Sequence, residues 1–208
     1  PETISKIYKK NPKRLLKRLW QTLIPIFAYI FSVGWDKLTG RLKNEAKARF
    51  RAKELTNLLV ELGPAFVKAG QALSTRPDII PRILLEELSE LQDQLPGFGG
   101  DKAMELIEED LGSRINEIFL EIDKQPISAA SLGQVHKAKL KNGEVVAVKV
   151  QRPGLREQIT LDLYIVRNIA YWLKNNIGLI RSDLVALIDE LGKRVFEEMD
   201  YLNEAENA

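Results

Sequence analysis

Gln125–Gln151, QPISAASLGQVHKAKLKNGEVVAVKVQ, is the stretch on which the fold turns. Small residues fill Ser128-Ala129-Ala130-Ser131-Leu132-Gly133, and a segment with spaced apolar residues follows from Gln134 to Leu140. Lys141-Asn142-Gly143 then turns the chain into Glu144-Val-Val-Ala-Val-Lys149-Val150. Two β-propense runs around a short turn containing Asn-Gly predict a hairpin. Small side chains ahead of it let backbone N–H groups come close to a bound anion. Lys149 is the single lysine in an otherwise apolar strand, and burying an ammonium without a partner is costly. The expectation is a buried Lys149 met by an anion or a carboxylate.

Working outward, 208 residues suffice for one substantial domain or two small ones. A hydrophobic fraction of 45% argues against wholesale disorder. The net charge of +2 hides an asymmetry: residues 1–18 carry Lys6, Lys9, Lys10, Lys13, Arg14, Lys17 and Arg18 against Glu2 alone. With no cysteine there is no disulfide, thiolate metal site or Cys nucleophile, which is compatible with an intracellular compartment. No internal repeat, low-complexity tract or Gly/Ser linker is present.

The basic start runs into an apolar stretch, Leu19 to Trp35, interrupted by Pro25 and shorter than the ~20 residues that cross a bilayer. Three readings fit it: a helix lying in a membrane interface, a helix packed on its own protein, or a span. Asp36 to Leu62 reads as a charged amphipathic helix, with Leu55, Leu58, Leu59 and Leu62 at helical spacing. Pro64 suits the first turn of the next helix, where Lys68 and Gln71 share a face and Gly70 lets that face lie close to another backbone. Arg82 to Leu95 reads as a helix ended by Pro96-Gly97. After a turn at Gly99-Gly100, Asp101 is the expected cap of a helix running to Leu111 and stopped by Gly112. Phe119 to Ile122 is the expected first strand. Beyond Pro153-Gly154 come helices near 155–176 and 183–207, the second capped by Ser182. Its acids could simply form a solvated face, as could Lys68 and Gln71 on theirs.

The central stretch resembles the N-lobe of a protein kinase, in which a glycine-rich loop covers the ATP phosphates and the Lys of V-A-I-K pairs with them. Ser128-x-Ala130-x-x-Gly133-x-Val135 stands where that loop has three glycines, and Val146-Ala147-Val148-Lys149 matches the strand. An alanine-rich loop of this form resembles the UbiB/ADCK family of atypical kinases, also called aarF-domain kinases. Lys68-Ala69-Gly70-Gln71 matches that family's Lys-x-Gly-Gln signature. Arg76-Pro77-Asp78-Ile79-Ile80-Pro81 and the segment Leu91 to Phe98 also resemble its pattern. Glu198-Met199-Asp200 and Tyr201-Leu202-Asn203-Glu204-Ala205 match its E-x-D and Y-x-x-E-A motifs. The one histidine, His136, stands where kinases commonly carry an aromatic, which makes it structural.

What the resemblance implies is an α+β fold: a kinase-like N-lobe antiparallel sheet with a helical N-terminal extension and a helical insertion. Residues 1–61 would form a basic and apolar helical region, 62–117 the Lys-x-Gly-Gln extension, and 118–208 the N-lobe. No counterpart of the H-R-D or D-F-G motifs follows, so the metal ligands would belong to a C-lobe absent from this chain, and the chain alone is expected to have no turnover. ATP and Mg²⁺ are the implied cofactors. Lys149 would hold the α/β-phosphates and Glu204 would orient it. Backbone N–H groups of Ser128, Ala129, Ala130, Ser131, Leu132 and Gly133 would cover the phosphates, with Val135 and Ala147 around the adenine. Lys68, Gly70, Gln71, Glu198 and Asp200 would gate the cleft that kinases use for peptides. The implied role is an intracellular, membrane-associated kinase or ATPase in isoprenoid-quinone or related lipid metabolism, peripheral rather than spanning. Its partners would be membrane lipid, a quinone-related small molecule and quinone-biosynthesis proteins. A non-catalytic nucleotide-sensing adaptor is the alternative. A nucleic-acid partner is not expected, because the basic cluster abuts an aromatic apolar run and no nucleic-acid module is present.

Overall fold

The computed structural model describes residues 12–75, 77, 80–92, 97–177 and 184–202. They form two compact units, residues 92–155 and, separately, 1–91 together with 156–208.

The first unit holds the sheet. After Gly99, helix α5 (Gly100–Leu111) ends at Gly112, whose left-handed φ of 62° stops it. A short turn, α6 (Ile115–Ile118), feeds strand β1 (Phe119–Ile122). Then come β2 (Ser128–Ala129), β3 (Gly133–Leu140) and β4 (Val145–Gln151). All pairings are antiparallel to the central β3: β4 along one edge, and β1 and β2 end to end on the other. The predicted hairpin and first strand are therefore present, with the turn at Gly143 (φ 91°). Period-two alternation gives the sheet an inner and an outer face. Ala138, Val146, Val148 and Val150 turn inward onto Ala103, Met104 and Ile107 of α5 and onto Phe119.

Helix limits differ from the sequence reading at several places. Asp101 is not the cap of α5; Gly99 stands at the N-cap with no side-chain bond, and Asp101, one residue into the helix, pairs with Lys124 at 2.7 Å. In the second unit the apolar run belongs to one long helix, α1 (Pro12–Leu38), which passes through Pro25. The helix expected from Asp36 starts later, as α2 (Glu45–Leu62). Gly40 in the left-handed region (φ 72°) and a 3₁₀ turn at Arg41–Lys43 separate the two, and the Asn44 side chain caps α2 by accepting from Lys47 N–H. Gly63 (φ 106°) ends α2 and begins α3 (Pro64–Ser74), and a side chain there would also meet Gln158 at 2.7 Å. Helix α4 (Arg82–Ser89) gives way to a 3₁₀ turn at Glu90–Gln92 instead of continuing to Leu95. The last helices are α7 (Leu155–Ile177) and α8 (Leu184–Glu198). Ser182 lies outside the described residues. Helix α8 stops at Glu198 and does not run on to 207; Met199 and Asp200 close it with bonds back to Val195 and Glu197.

Helix α1 is apolar on its outside. Its fully buried residues are Thr22 and Asp36, whereas Trp20, Phe27, Phe31 and Trp35 are each more than half exposed. Inward, Leu15 and Leu19 pack on Leu161 and Ile165 of α7, and a set of polar links runs beside them. Arg18 grips Asp162 of α7 through two bonds of 2.6 and 2.8 Å and also donates to the Leu62 carbonyl that ends α2. Asp36 accepts from Arg51 of α2 at 2.6 Å, with Lys47 at 3.5 Å and Arg41 at 3.9 Å, and the Tyr29 hydroxyl donates to the Arg51 carbonyl. Arg14 pairs with Glu157. Two members of the basic cluster are thus committed to the protein itself.

Candidate functional site

The sheet unit brings the loop and strand residues together. In the β3–β4 register Val135 stands opposite Lys149 and Lys137 opposite Ala147, so Val135, Ala147 and Lys149 share one face. It is the outer face, and there the buried Lys149 expected from the sequence is corrected: Lys149 and Ala147 are exposed. The reason is the alternation itself. The run Val145 to Val150 is apolar on both faces, and its parity sends Val146, Val148 and Val150 to the core and Lys149 away from it. The face also carries Lys137 and Lys139, which the sequence reading did not single out. Glu204 lies outside the described residues.

The loop before β3 is held from three sides. Ala130 N–H donates to the Gly133 carbonyl at 2.8 Å, which makes Ala130–Gly133 a tight turn between β2 and β3. Ser128 and Ala129 pair with Val135 and Gln134. From the end of β4, Arg152 N–H donates to the Leu132 carbonyl at 2.9 Å, and its guanidinium reaches the Ala130 carbonyl at 3.4 Å while lying over the Phe98 ring. Burial lowers the pKa of Arg152 from the ordinary arginine value. Ser131 and Leu132 are buried, whereas Ser128 and Ala130 are exposed. Ala130 N–H is thereby spent within the loop and is not a donor to an outside anion in this arrangement.

Beneath the loop runs a chain of hydrogen bonds. Phe98 N–H donates to Gln134 Oε1 at 2.8 Å, the Gln134 amide meets His136 Nε2 at 3.0 Å, and His136 Nδ1 meets the Asp123 carbonyl at 2.7 Å. A carbonyl can only accept, so Nδ1 carries the proton and Nε2 accepts from Gln134. Both His136 and Gln134 are fully buried, which makes His136 part of the scaffold. Gln134, Phe98 and Arg152 were missed as contributors. The only signal for Arg152 is its place between a strand and Pro153-Gly154; for Gln134 it is the i, i+2 spacing to His136 on one strand face, while its other partner, Phe98, is remote in sequence.

In the helical unit, Lys68 on α3 forms an ion pair with Glu198 at the end of α8. Gln71, one turn on, donates instead to the Leu91 carbonyl at 3.1 Å, so the two do not act on one partner. Gly70 is buried, and a Cβ there would lie 2.6 Å from Leu91 Cδ1 and 2.8 Å from Leu59 Cδ1. The close approach is therefore to leucine side chains and not to another backbone. Asp200 has left the helix, so helical spacing does not carry it onward.

Residues 90–208 match the family model of the ABC1 atypical kinase-like domain. "Uncharacterized protein sll0005" of Synechocystis is 51% identical over all of this chain and 30% of its own length. "Uncharacterized aarF domain-containing protein kinase At1g71810, chloroplastic" of Arabidopsis thaliana is 51% identical over 98% of this chain and 29% of its own. "Protein ACTIVITY OF BC1 COMPLEX KINASE 3, chloroplastic", from the same plant, is 44% identical over all of this chain. A Mycobacterium tuberculosis structure titled as the Rv3197–erythromycin complex is 31% identical over 80% of this chain and 41% of its own, with a TM-score of 0.45. The chain spans about a third of the length of the curated relatives it matches.

Proposed function

Because the chain belongs to the ABC1 atypical kinase-like family, the UbiB/ADCK group, we propose that it supplies the ATP-binding face of an atypical kinase or ATPase. The observation that carries this reading is the hairpin register, which puts Val135, Ala147 and Lys149 on one outward face beside the Ser128–Gly133 loop. A nucleotide triphosphate suits these groups: an ammonium for the phosphates, a methyl-sized side chain for the base, and a loop of small residues that admits close approach. Lys149 would hold the α/β-phosphates. Arg152 would position the loop through the Leu132 and Ala130 carbonyls, and Gln134 through its pairing with Ala129. Bound Mg²⁺ would neutralise phosphate charge, and no cluster of metal-ligating side chains occurs among the described residues.

The finer reading is action on a small or lipid-borne acceptor, isoprenoid-quinone-related, at a membrane and with quinone-biosynthesis proteins as partners. The aromatic outer stripe of α1 supports the membrane part. The Lys68–Glu198 pair, with Gly70, Gln71 and Asp200, is assigned to regulation. A nucleotide sensor without turnover is the second reading, favoured by the loop's alanines and its three-sided tether. In the full-length protein, Lys149→Ala should weaken ATP binding at least about tenfold, the loss of roughly one charge-assisted contact. Equal ATP affinity in wild type and variant would overturn the assignment. ATP binding without hydrolysis, with lipid present, would select the sensor.

A further inference from the structure

We propose that the outward face of α1 seats the protein in the plane of an anionic phospholipid membrane, drawn to it by cations at both ends of the helix, Lys13 and Lys17 at one and the elbow at Arg41 to Lys47 at the other. This deepens the membrane part of the proposed function and rests on it. Leu16, Trp20, Ile24, Phe27, Phe31 and Trp35 follow one another at intervals of four, four, three, four and four, and Leu38 completes the repeat. All are at least half exposed. Eleven residues per three turns is about 3.67 per turn, close to the 3.6 of a straight helix, so the stripe runs straight for about 33 Å. A left-handed coiled-coil seam would need a spacing of about 3.5, which argues against a second copy wound on this face. Two tryptophans and two phenylalanines suit the headgroup boundary, where an aromatic body is apolar and partly wet.

Charge selects the lipid. Asp36 is the only acid between residues 12 and 38, and it is buried on the opposite side, so the outward face shows no carboxylate. Exposed Lys13 and Lys17 lie at one end of the helix. At the other, a concavity of about 600 Å³ is lined by Arg41, Asn44, Ala46, Lys47 and Phe50. There Asp36 is shared by Arg41, Lys47 and Arg51, and Lys47 lies 4.7 Å above the half-exposed Phe50 ring. Arg41, Lys43, Lys47 and Arg51 against Asp36, Glu45 and Glu54 leave one positive charge over. The orientation is in-plane. No helix of the described residues is long and apolar enough to cross a membrane, and α1 is fastened along its inner side by Arg18, Tyr29 and Asp36.

The test uses the full-length protein and vesicles of phosphatidylglycerol in phosphatidylcholine, read by co-sedimentation and by tryptophan emission. Wild type should bind anionic vesicles, with a blue shift from Trp20 and Trp35 that is retained in Trp172→Phe. Phe27→Glu with Phe31→Glu should abolish binding while leaving the melting temperature in place, since both rings are exposed. Arg41→Gln with Lys47→Gln should weaken binding about 25-fold, about fivefold per cation near an anionic surface, and flatten its salt dependence. Absence of wild-type binding would overturn the membrane reading and the seat together. Wild-type binding that survives Phe27→Glu and Phe31→Glu would keep the membrane and overturn the seat. Tryptophan emission already blue and shielded from acrylamide without vesicles would show the stripe covered by protein, the rest of the chain or a second copy, and would also overturn it.

Discussion

Arg18→Ala should be among the most damaging single changes to the helical unit, and Arg14→Ala, one turn earlier on the same helix, should be nearly silent. Both arginines reach from α1 to carboxylates on α7. Arg14 and Glu157 have side chains 56% and 55% exposed, a pair worth about 0–1 kcal/mol. For Arg18 and Asp162 the values are 17% and 1%. Removing Arg18 leaves a buried carboxylate and the Leu62 carbonyl without their donor, a loss of about 3–5 kcal/mol. Against a total stability of about 5–15 kcal/mol that is a large share. Replacing the pair together, Arg18→Met with Asp162→Leu, should recover most of the loss, because the desolvation of both charges disappears with them. Burial also raises the pKa of Asp162, more than the Arg18 hydrogen bond and charge lower it. A carboxyl that binds its proton more tightly when folded contributes stability that is full below its unfolded value near 4 and is lost as pH rises through the folded value. Asp162→Asn should remove that decline. Urea unfolding of the single and double variants, followed by far-UV dichroism at constant m, measures all of this. An Arg18→Ala loss within about 0.5 kcal/mol of Arg14→Ala would refute the argument, since burial would then make no difference to the pair.

Thr22 is buried and its hydroxyl has no hydrogen-bond partner among the described residues, so Thr22→Val should be neutral or stabilising by about 1 kcal/mol in the same assay. Gly70→Ala should cost about 1–2 kcal/mol, because its methyl meets two leucine tips under 3 Å away and the gain in helix propensity offsets only part of the strain. For Asp36, burial pushes the pKa up but the hydrogen bond and charge of Arg51, with Lys47, outweigh it and hold it below the ordinary value. Its stabilisation is therefore present above about pH 4 and lost as pH falls through the folded value; Asp36→Asn should flatten the acid limb of a melting-temperature profile. Lys68→Ala in the full-length protein should shift nucleotide preference with little change in melting temperature, since the Glu198 partner is half exposed; an unchanged preference would leave Lys68 an ordinary surface lysine.

What could be read in advance was local. The hairpin follows from an Asn-Gly turn between β-propense runs, and β1 from a short apolar run ahead of it. The gap between α1 and α2 was also local, signalled by Thr39-Gly40 and by Asn44 as a cap, but the continuous charge pattern concealed it. The face of Lys149 was not readable from β4 alone, since alanine and valine alternate there without a polar contrast, and its partner strand decides the parity. The strand period puts Gln134 and His136 on one face, but their links to Phe98 and Asp123, like the Arg152 tether, join residues that no local period connects.

For α1 the apolar count was legible but not the direction it faces, and Arg18 and Asp36 settle that. They are eighteen residues apart, about five turns at 3.6 residues each, and so lie on one side of the helix. Both are committed inward, to Asp162 and the Leu62 carbonyl at one end and to Arg51 at the other. Thr22 and Tyr29 fall on the same side, the first buried and the second bonded to the Arg51 carbonyl. Phe27 is nine residues from each, about two and a half turns, and is therefore turned away from the protein. Turned the other way, α1 would leave the buried Asp162 without its cation and lose the packing of Leu15 and Leu19 on Leu161 and Ile165, so these contacts hold the inner face and the rings are left outside. Arg18, one of the seven cations counted in residues 1–18, is thus among the residues that turn the aromatic stripe outward.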